Sequence, residues 1–288
     1  MRQFSRVGVV GCGLMGAGIA EVCARAGLDV LVAERDEAAL AAGRERLTTS
    51  LDRGVRSGKF TEADREAALG GLSFTHSLAD FADRDLVIEA VAERREVKTA
   101  VFKELDQVLG AGAVIASNTS SIPITDLAAV TGRPQKVVGV HFFNPVPVQR
   151  LIEIIPTQLT SVSVTERVVT FAEETLGKTA VRARDRAGFV VNALLVPYLV
   201  SAVRMLESGA ASAEDIDNGM VLGCSHPMGP LRLLDLIGLD TAQSIAESMY
   251  EEFKEPLYAP PPLLRRMVAA GALGRKSGRG FYTYDTPG

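Results

Sequence analysis

The sequence predicts an α/β protein in which a Rossmann-type, doubly wound N-terminal sheet is followed by an all-α C-terminal domain. Up to Arg182, short apolar runs alternate with amphipathic segments, which is the pattern of successive βα units. After Arg182 the strand-like runs stop and only helical patterns continue. We therefore expect two domains, a dinucleotide-binding domain over residues 1–185 and a helical domain over residues 186–288.

The first unit of the predicted sheet contains a glycine-rich turn. Arg6–Val10 is an apolar run suited to a buried parallel strand, and Ala17–Ala26 is a predicted helix. Between them, Gly11-Cys-Gly-Leu-Met-Gly16 has the spacing Gly-x-Gly-x-x-Gly. In a βαβ unit these glycines permit a tight turn, close approach of a pyrophosphate and close helix–strand packing. The context favours a dinucleotide site over a purely structural turn, and it places these residues there: Gly11, Gly13, Leu14, Met15 and Gly16.

An acidic residue at the end of the second strand indicates which dinucleotide binds. Residues 28–33 form the predicted strand, and Glu34 follows it. A carboxylate there accepts hydrogen bonds from ribose hydroxyls and repels a 2′-phosphate, so Glu34 favours NAD over NADP. Arg35 weakens this preference, and NADP stays an alternative.

The later elements of the first domain continue the alternation. Residues 36–56 and 61–69 are predicted helices separated by a break, and the basic residues Arg53, Arg56 and Lys59 cluster near it. These cations are either a solvated helix end or a contact for an anionic part of a substrate. The remaining predictions are strands at 72–75, 85–90, 113–116, 136–140 and 151–155, and helices at 96–109 and after Pro123.

Polar residues follow several of these strands, at the edge where doubly wound sheets bind ligands. Glu93 and Lys98 come after the strand at 85–90, and Ser117-Asn-Thr-Ser-Ser121 follows the strand at 113–116. Small polar residues at a strand end suit the rim of a ligand site. They also suit a helix cap, and the two interpretations are compatible.

His141 is the histidine best placed for proton transfer. It follows a predicted strand, two prolines constrain the chain after it, and Glu153 lies twelve residues later on a strand. A histidine titrates near neutral pH, and a carboxylate bonded to its second ring nitrogen would select the tautomer and stabilise the imidazolium. His76 and His226 are better explained by a loop and a turn.

The C-terminal part is predicted to consist of helices. Asn192 lies inside the first of them on an otherwise apolar face, so it is either a packing link or a site residue. The predicted helices cover 188–207, 213–222, 231–237, 241–253 and 262–270.

Composition limits the class of protein. The formal net charge of −4 argues against nucleic acid as the main partner. Three cysteines without metal-ligand spacing indicate free thiols in a reducing compartment and no metal site. The N-terminal apolar run is interrupted by glycines, and the run at 188–203 is short for a bilayer. We expect a soluble cytoplasmic protein without a membrane partner.

Several motifs, in order and with fitting gaps, resemble the L-3-hydroxyacyl-CoA dehydrogenase family. The resemblance extends from about residue 5 to about residue 284. Its motifs are Gly11-Cys-Gly-Leu-Met-Gly-Ala-Gly-Ile-Ala20, Ser117-Asn-Thr-Ser-Ser121, His141-Phe-Phe-Asn-Pro-Val-Pro147, Glu153, Gly188-Phe-Val-Val-Asn192, Asp215-Ile-Asp217, Pro227-Met-Gly-Pro230 and Gly278-Arg-Gly-Phe-Tyr282.

The resemblance implies a role for each matched residue. His141 would be the catalytic base and Glu153 the carboxylate that orients it, while Ser120 and Asn192 would touch the reacting oxygen or the thioester carbonyl. Glu34 would hold the adenine ribose of NAD. Residues implied to border its nicotinamide half are Glu93, Lys98 and Asn118. The resemblance also implies an acyl-CoA substrate, contacted somewhere in residues 50–59, and a homodimer formed through the helical domain.

Three alternatives to a short-chain 3-hydroxyacyl-CoA dehydrogenase remain open at this point. The substrate could be of the 3-hydroxyadipyl-CoA type found in aromatic-acid degradation. Ser120, His141 and Glu153 could form the nucleophilic triad of an acyl-CoA hydrolase, although no Gly-x-Ser-x-Gly surrounds the serine. A non-enzymatic NAD-binding protein is disfavoured because these three residues and Asn192 are all present.

Overall fold

The fold is described from a computed structural model that covers residues 4–284. The chain divides between Asp185 and Arg186 into two compact units. The first contains the sheet, and the second is helical. The extreme ends of the two predicted domains, residues 1–3 and 285–288, lie outside the described residues.

The first unit is built around an eight-stranded sheet. Its strands are β1 (Arg6–Val10), β2 (Asp29–Ala33), β3 (Leu72–Thr75), β4 (Leu86–Glu89), β5 (Val114–Ser117), β6 (Val137–Phe142), β7 (Leu151–Pro156) and β8 (Thr179–Arg182). They lie in the order β3-β2-β1-β4-β5-β6-β7-β8, and β1 to β6 are mutually parallel. This is the strand order of a doubly wound dinucleotide-binding sheet, and the predicted fold class is confirmed.

Helices connect the parallel strands, and polar caps define where two of them begin. Asp36 accepts a hydrogen bond from the Ala39 backbone N–H at 2.8 Å, and Thr61 and Asp64 form a reciprocal capping box. The helices of this unit are α1 (Leu14–Arg25), α2 (Glu37–Arg56), α3 (Glu62–Gly70), α4 (Arg95–Val108), α5 (Ile124–Ala128) and α6 (Val162–Thr170).

The last part of the first unit differs from the parallel pattern. β7 runs antiparallel to β6, and β8 then pairs in parallel with β7. Neither α6 nor β8 was predicted from the sequence. The helix is rich in Val and Thr, which have low helix propensity, and the strand is short and only partly buried. β6 also extends to Phe142, so His141 lies within the strand and not after it.

The second unit consists of helices, as predicted. They are α7 (Val191–Glu207), α8 (Ala213–Cys224), α9 (Pro230–Ile237), α10 (Leu239–Phe253) and α11 (Pro262–Ala269). α7 begins three residues later than expected, because Gly188 and Phe189 have φ values of +81° and +46° and are not helical. None of the helices in residues 4–284 combines the length and apolar character that crossing a membrane requires.

A buried carboxylate attaches the end of the described chain to the helical unit. Asp235, 1% exposed, accepts backbone hydrogen bonds from Phe281 at 2.9 Å and Tyr282 at 3.0 Å. It also accepts a hydrogen bond from the Tyr284 hydroxyl at 2.9 Å. Replacing the water shell of this carboxylate with three donors makes its burial tolerable.

Candidate active site

The ends of five strands form a continuous row at one edge of the sheet. Strand register aligns Ala33 with Val10, Val10 with Glu89, Glu89 with Ser117, and Ser117 with Gly139. Because these strands are parallel, the segments that follow them emerge at the same edge. The sheet therefore brings together the glycine-rich turn, Glu34, the serine-rich segment (Ser117–Ser121) and the end of β6.

The glycine-rich turn has the geometry that a dinucleotide requires. Gly11 has φ +93°, and a Cβ there would lie 2.7 Å from the Ala90 carbonyl oxygen. A Cβ at Gly16 would lie 1.8 Å from the Gly11 carbonyl oxygen, so α1 packs directly on the turn. No described atom lies within 4 Å of the Cβ position of Gly13, which leaves room for a pyrophosphate at the positive end of α1.

Glu34 is held at the end of β2 by backbone donors. Its Oε1 accepts the Cys12 N–H at 2.7 Å, and its Oε2 accepts the Arg35 N–H at 3.0 Å. The Arg35 side chain is 84% exposed and forms its ion pair with Asp36 at 3.0 Å. The carboxylate is thus fixed beside the glycine-rich turn, where a ribose would lie, and the residues present fit NAD.

His141 and Glu153 are directly opposite each other in the antiparallel pair of β6 and β7. His141 Nδ1 and Glu153 Oε2 are 2.7 Å apart, and their side chains are 8% and 0% exposed. A carboxylate at Nδ1 keeps the proton on that nitrogen, which makes Nε2 the basic nitrogen of the neutral ring. The predicted pairing is therefore present, and the cross-strand register produces it.

The serine-rich segment, Ser117–Ser121, is attached to the strand that carries His141. Asn118 Oδ1 accepts the Phe142 backbone N–H at 2.8 Å. The bond fixes the segment after β5 relative to the residue next to His141. It also shows what Asn118 does within the protein, beyond its implied place beside the cofactor.

Glu93 joins the same segment from the loop before α4. Its Oε1 accepts hydrogen bonds from the Ser120 N–H at 3.1 Å, from the N–H and hydroxyl of Ser121 at 3.2 and 2.8 Å, and from the Thr119 hydroxyl. Its Oε2 lies 3.1 Å from Lys98 Nζ. Burial would raise the pKa of Glu93, but the Lys98 ammonium and the two hydroxyl donors outweigh it and hold the pKa below its usual value.

Lys98 is buried, with only 1% of its side chain exposed. Its ammonium lies 2.7 Å from Glu89 Oε1, in addition to Glu93. Glu89, at the end of β4, was not singled out in the sequence. The feature that could have identified Glu89 is an acidic residue at the end of the apolar strand Leu86–Glu89. The structure shows that this side chain is 0% exposed.

The remaining site predictions fall in separate parts of the fold. Asn192 is 9% exposed in the first turn of α7, in the helical unit. His76 follows β3 and bonds Glu37 at 2.9 Å, as expected for a loop residue. His226 Nδ1 lies 3.2 Å from the Tyr198 hydroxyl. No cluster of three or more potential metal ligands occurs between residues 4 and 284.

The doubly wound sheet, the glycine-rich turn, the ribose-side carboxylate and the buried His–Glu pair define a dinucleotide-dependent dehydrogenase site. The chain matches the NAD-binding domain of 3-hydroxyacyl-CoA dehydrogenase over residues 6–186 and the C-terminal domain of that family over residues 188–284. It therefore belongs to the 3-hydroxyacyl-CoA dehydrogenase family, as the motifs predicted. The match to the NAD-binding domain also confirms NAD as the cofactor.

Individual relatives agree with this family. The chain is 61% identical over 280 residues to a Mycobacterium tuberculosis 3-hydroxybutyryl-CoA dehydrogenase, covering 97% of this chain and 98% of that protein. The crystal structure of (S)-3-hydroxybutyryl-CoA dehydrogenase PaaH1 from Ralstonia eutropha superposes with a TM-score of 0.93 at 46% identity, covering 98% of this chain and all of that one. The pig mitochondrial hydroxyacyl-coenzyme A dehydrogenase is 44% identical and covers 96% of this chain and 90% of its own length.

Proposed function

We propose that the protein interconverts (S)-3-hydroxyacyl-CoA and 3-oxoacyl-CoA with NAD, and that 3-hydroxybutyryl-CoA is a short-chain substrate. The observation that carries this proposal is the buried His141–Glu153 pair at 2.7 Å. It lies at the sheet edge that also presents the glycine-rich turn and Ser117–Ser121. Relatives named 3-hydroxybutyryl-CoA dehydrogenase support a short acyl chain in the substrate.

In the oxidative direction His141 is the general base. Its Nε2 takes the proton of the 3-hydroxyl, the oxygen's electron pair forms the C3 carbonyl, and the hydrogen on C3 leaves as hydride. Bound NAD supplies the acceptor for that hydride. In the reductive direction the same nitrogen, now protonated, returns the proton to the oxygen.

Glu153 contributes most when His141 becomes charged. In the resting pair the carboxylate faces a neutral ring, and during proton transfer it faces an imidazolium. The interaction therefore strengthens as the reaction proceeds, which is the condition for lowering a barrier. Burial strengthens it further, because solvent screening is weak around two side chains that are 8% and 0% exposed.

Ser120 and Asn192 are assigned to the substrate. A hydroxyl and a carboxamide can both donate hydrogen bonds to the C3 oxygen or to the thioester carbonyl, and thereby orient C3 for hydride transfer. Within residues 4–284, no residue forms a hydrogen bond with the Ser120 hydroxyl, and the Ser120 backbone N–H donates to Glu93. Its side chain is therefore available for a ligand.

The cofactor contacts follow from the same edge. Residues 11–16 would cradle the pyrophosphate, and Glu34 would accept hydrogen bonds from the adenine ribose. A fixed carboxylate repels a 2′-phosphate, and the Arg35 guanidinium is already paired with Asp36 at 3.0 Å. We therefore assign NAD as the preferred cofactor over NADP. Residues proposed to border the nicotinamide half are Glu93, Lys98 and Asn118.

The exposed basic and apolar side chains support assignments for the CoA contact and for the homodimer interface. Arg53, Arg56 and Lys59 are exposed at the end of α2 and suit the phosphates of CoA. The helical unit exposes Leu194 on α7 and Leu222 on α8, at 74% and 81%, and we assign these two leucines to a homodimer interface. Three free cysteines fit a cytoplasmic location.

The direct test follows reduced-nicotinamide absorbance with acetoacetyl-CoA and longer 3-oxoacyl-CoA substrates, using NADH and NADPH in parallel. We expect NADH oxidation that depends on acetoacetyl-CoA, with a higher kcat/KM for NADH than for NADPH. Thioester hydrolysis without nicotinamide oxidation would instead identify the enzyme as an acyl-CoA hydrolase.

A further inference from the structure

Glu89 is a buried carboxylate at the centre of a polar network behind the serine-rich segment. Its side chain is 0% exposed, and both carboxylate oxygens accept hydrogen bonds. Oε1 accepts hydrogen bonds from the Val91 N–H and Lys98 Nζ, both at 2.7 Å, and Oε2 accepts one from the Ser117 hydroxyl at 2.7 Å. A buried charge with this many partners constrains all of them at once.

One connection runs from Glu89 through the Ser117 hydroxyl. The hydroxyl donates to Glu89 and its oxygen accepts the Thr119 backbone N–H at 3.2 Å. The carboxylate thus orients the hydroxyl, and the hydroxyl holds the backbone of the residue just before Ser120.

A second connection runs through Lys98 and Glu93. The Lys98 ammonium lies between the two glutamates, 2.7 Å from Glu89 and 3.1 Å from Glu93. Glu93 in turn accepts the N–H groups of Ser120 and Ser121 at 3.1 and 3.2 Å. The position of Ser120 therefore depends on where Lys98 holds the Glu93 carboxylate.

We propose that Glu89 is a positioning residue for the reaction, which acts by holding the Ser120 hydroxyl where the substrate oxygen binds. Both connections begin at Glu89 and end at the Ser120 backbone or at the residue beside it. The Asn118 bond to the Phe142 N–H at 2.8 Å links the same segment to the strand of His141. Glu89 therefore sets the placement of Ser120 relative to the base. This inference rests on the proposed function, in which Ser120 contacts the substrate.

The negative charge of Glu89 is essential to this role. Lys98 is 1% exposed, and its ammonium stays buried and charged only if carboxylates compensate it. A glutamine at position 89 has the same shape, but its amide cannot accept from both Lys98 and Ser117 on two oxygens. Lys98 would then shift toward Glu93, and the Glu93 bonds to Ser120 and Ser121 would change.

The first test compares Glu89→Gln with the wild-type enzyme. We expect kcat for acetoacetyl-CoA reduction to fall about 10–100-fold, the size of effect that misplacement by about 1 Å produces. The dissociation constant of NADH, measured by fluorescence, should change by a smaller factor than kcat, because no side-chain hydrogen bond of Glu89 goes to Glu34 or to the glycine-rich turn. Asp235→Asn is the matched control, because it neutralises a similarly buried carboxylate (1% exposed, against 0% for Glu89) that bonds within the helical unit. Its turnover per folded molecule should equal that of the wild type.

A double variant separates positioning from stability. Glu89→Gln/Lys98→Met removes the buried ammonium together with its carboxylate, so we expect the thermal midpoint to recover toward the wild-type value. Turnover should stay low, because Glu93 no longer has the ammonium that holds it. Recovery of both the midpoint and kcat would overturn the proposal and leave Glu89 as a stability residue only.

A double-mutant cycle with Ser120→Ala tests the route of the effect. If Glu89 acts through Ser120, the loss caused by Glu89→Gln should shrink to less than about threefold in the Ser120→Ala background. Independent, multiplicative losses would overturn the inference. Failure of the proposed function has a different signature, because the wild-type enzyme would then show no acetoacetyl-CoA-dependent oxidation of NADH.

Discussion

Three glutamates of the first unit carry their charge in different surroundings, and their roles differ accordingly. Glu34 is held by two backbone N–H groups beside the glycine-rich turn. Glu153 is buried against the one imidazole that changes charge in the proposed reaction. Glu93 gathers three residues of the serine-rich segment and a buried ammonium. The chemistry of the site thus depends on what each carboxylate accepts, more than on the presence of acidic residues.

Glu93 gives a prediction at the residue scale. Its pKa is lower in the folded protein than the usual value, so the carboxylate stabilises the fold above the unfolded-state pKa of about 4.3. This contribution is lost as the pH falls through the lower folded-state pKa. Glu93→Gln should therefore lower the free energy of unfolding at pH 7 by roughly 1–2 kcal/mol, an amount kept modest because 33% of the side chain is exposed.

Chemical denaturation from pH 7 down to pH 3.5 checks this prediction. The difference between wild type and Glu93→Gln should be constant above pH 6 and shrink below about pH 4.3. Glu104→Gln, an exposed residue of the neighbouring α4, is the control and should show no such trend. A difference that grows on acidification would contradict the assignment.

Among the contacts between whole elements, the packing of α2 on the glycine-rich turn bears on cofactor binding. Gly43 of α2 packs against Cys12, where an added Cβ would lie 2.6 Å from the cysteine Cβ and 3.0 Å from its carbonyl oxygen. Arg46, one turn later, donates to that same carbonyl oxygen at 3.0 Å. The helix after β2 therefore supports the turn that would hold the pyrophosphate, and Glu34 supports it from the N–H side.

Gly43→Ala tests this helix–turn contact. Alanine favours the helix by about 1 kcal/mol, but the new methyl group must displace the backbone around Cys12. We expect the dissociation constant of NADH to rise at least about threefold, equivalent to roughly 0.7 kcal/mol. In the control Gly70→Ala, no described atom lies within 4 Å of the new Cβ, so NADH binding should be unchanged. Equal binding by both variants would show that the turn is not supported by α2.

The sequence predicts which residues lie at the edge of the sheet, but it does not predict the direction of every strand. The βα alternation was enough to bring the glycine-rich turn, Ser117–Ser121 and His141 to one edge, because parallel strands end together. It did not reveal that β7 reverses direction and thereby places Glu153 opposite His141. Nor could it reveal the partners of Glu93 or Lys98, since these depend on loop conformations that no periodicity encodes.

At the scale of the whole molecule, the strand-like runs of the sequence stop near Arg182, and the boundary between the two compact units lies between Asp185 and Arg186. α9, α10 and α11 of the second unit were predictable because their apolar periodicity is strong. α6 was missed because its many Val and Thr residues favour strands, and β8 was missed because a short, half-exposed strand gives little pattern. The sequence likewise did not predict the contacts of the basic segment at 274–280. One of them is the Lys276–Asp240 ion pair at 2.6 Å.

The exposed apolar side chains of the helical unit lead to a prediction about assembly. A two-fold interface would bury Leu222 in both copies, and each buried leucine contributes about 2 kcal/mol. We expect a dimer by sedimentation velocity and a shift toward monomer in Leu222→Lys. The control Leu159→Lys changes an exposed leucine of the first unit and should leave the dimer intact. A monomeric wild-type protein at micromolar concentration would contradict this assignment.

In the proposed mechanism His141, oriented by Glu153, exchanges the proton that accompanies hydride transfer. The most direct measurement is the turnover of His141→Gln with acetoacetyl-CoA and NADH, alongside the dissociation constant of NADH for the same variant. We predict a fall in kcat of about 10²–10⁴-fold with NADH binding unchanged, because general acid–base catalysis is lost and the glycine-rich turn is intact. Turnover close to that of the wild-type enzyme would contradict it.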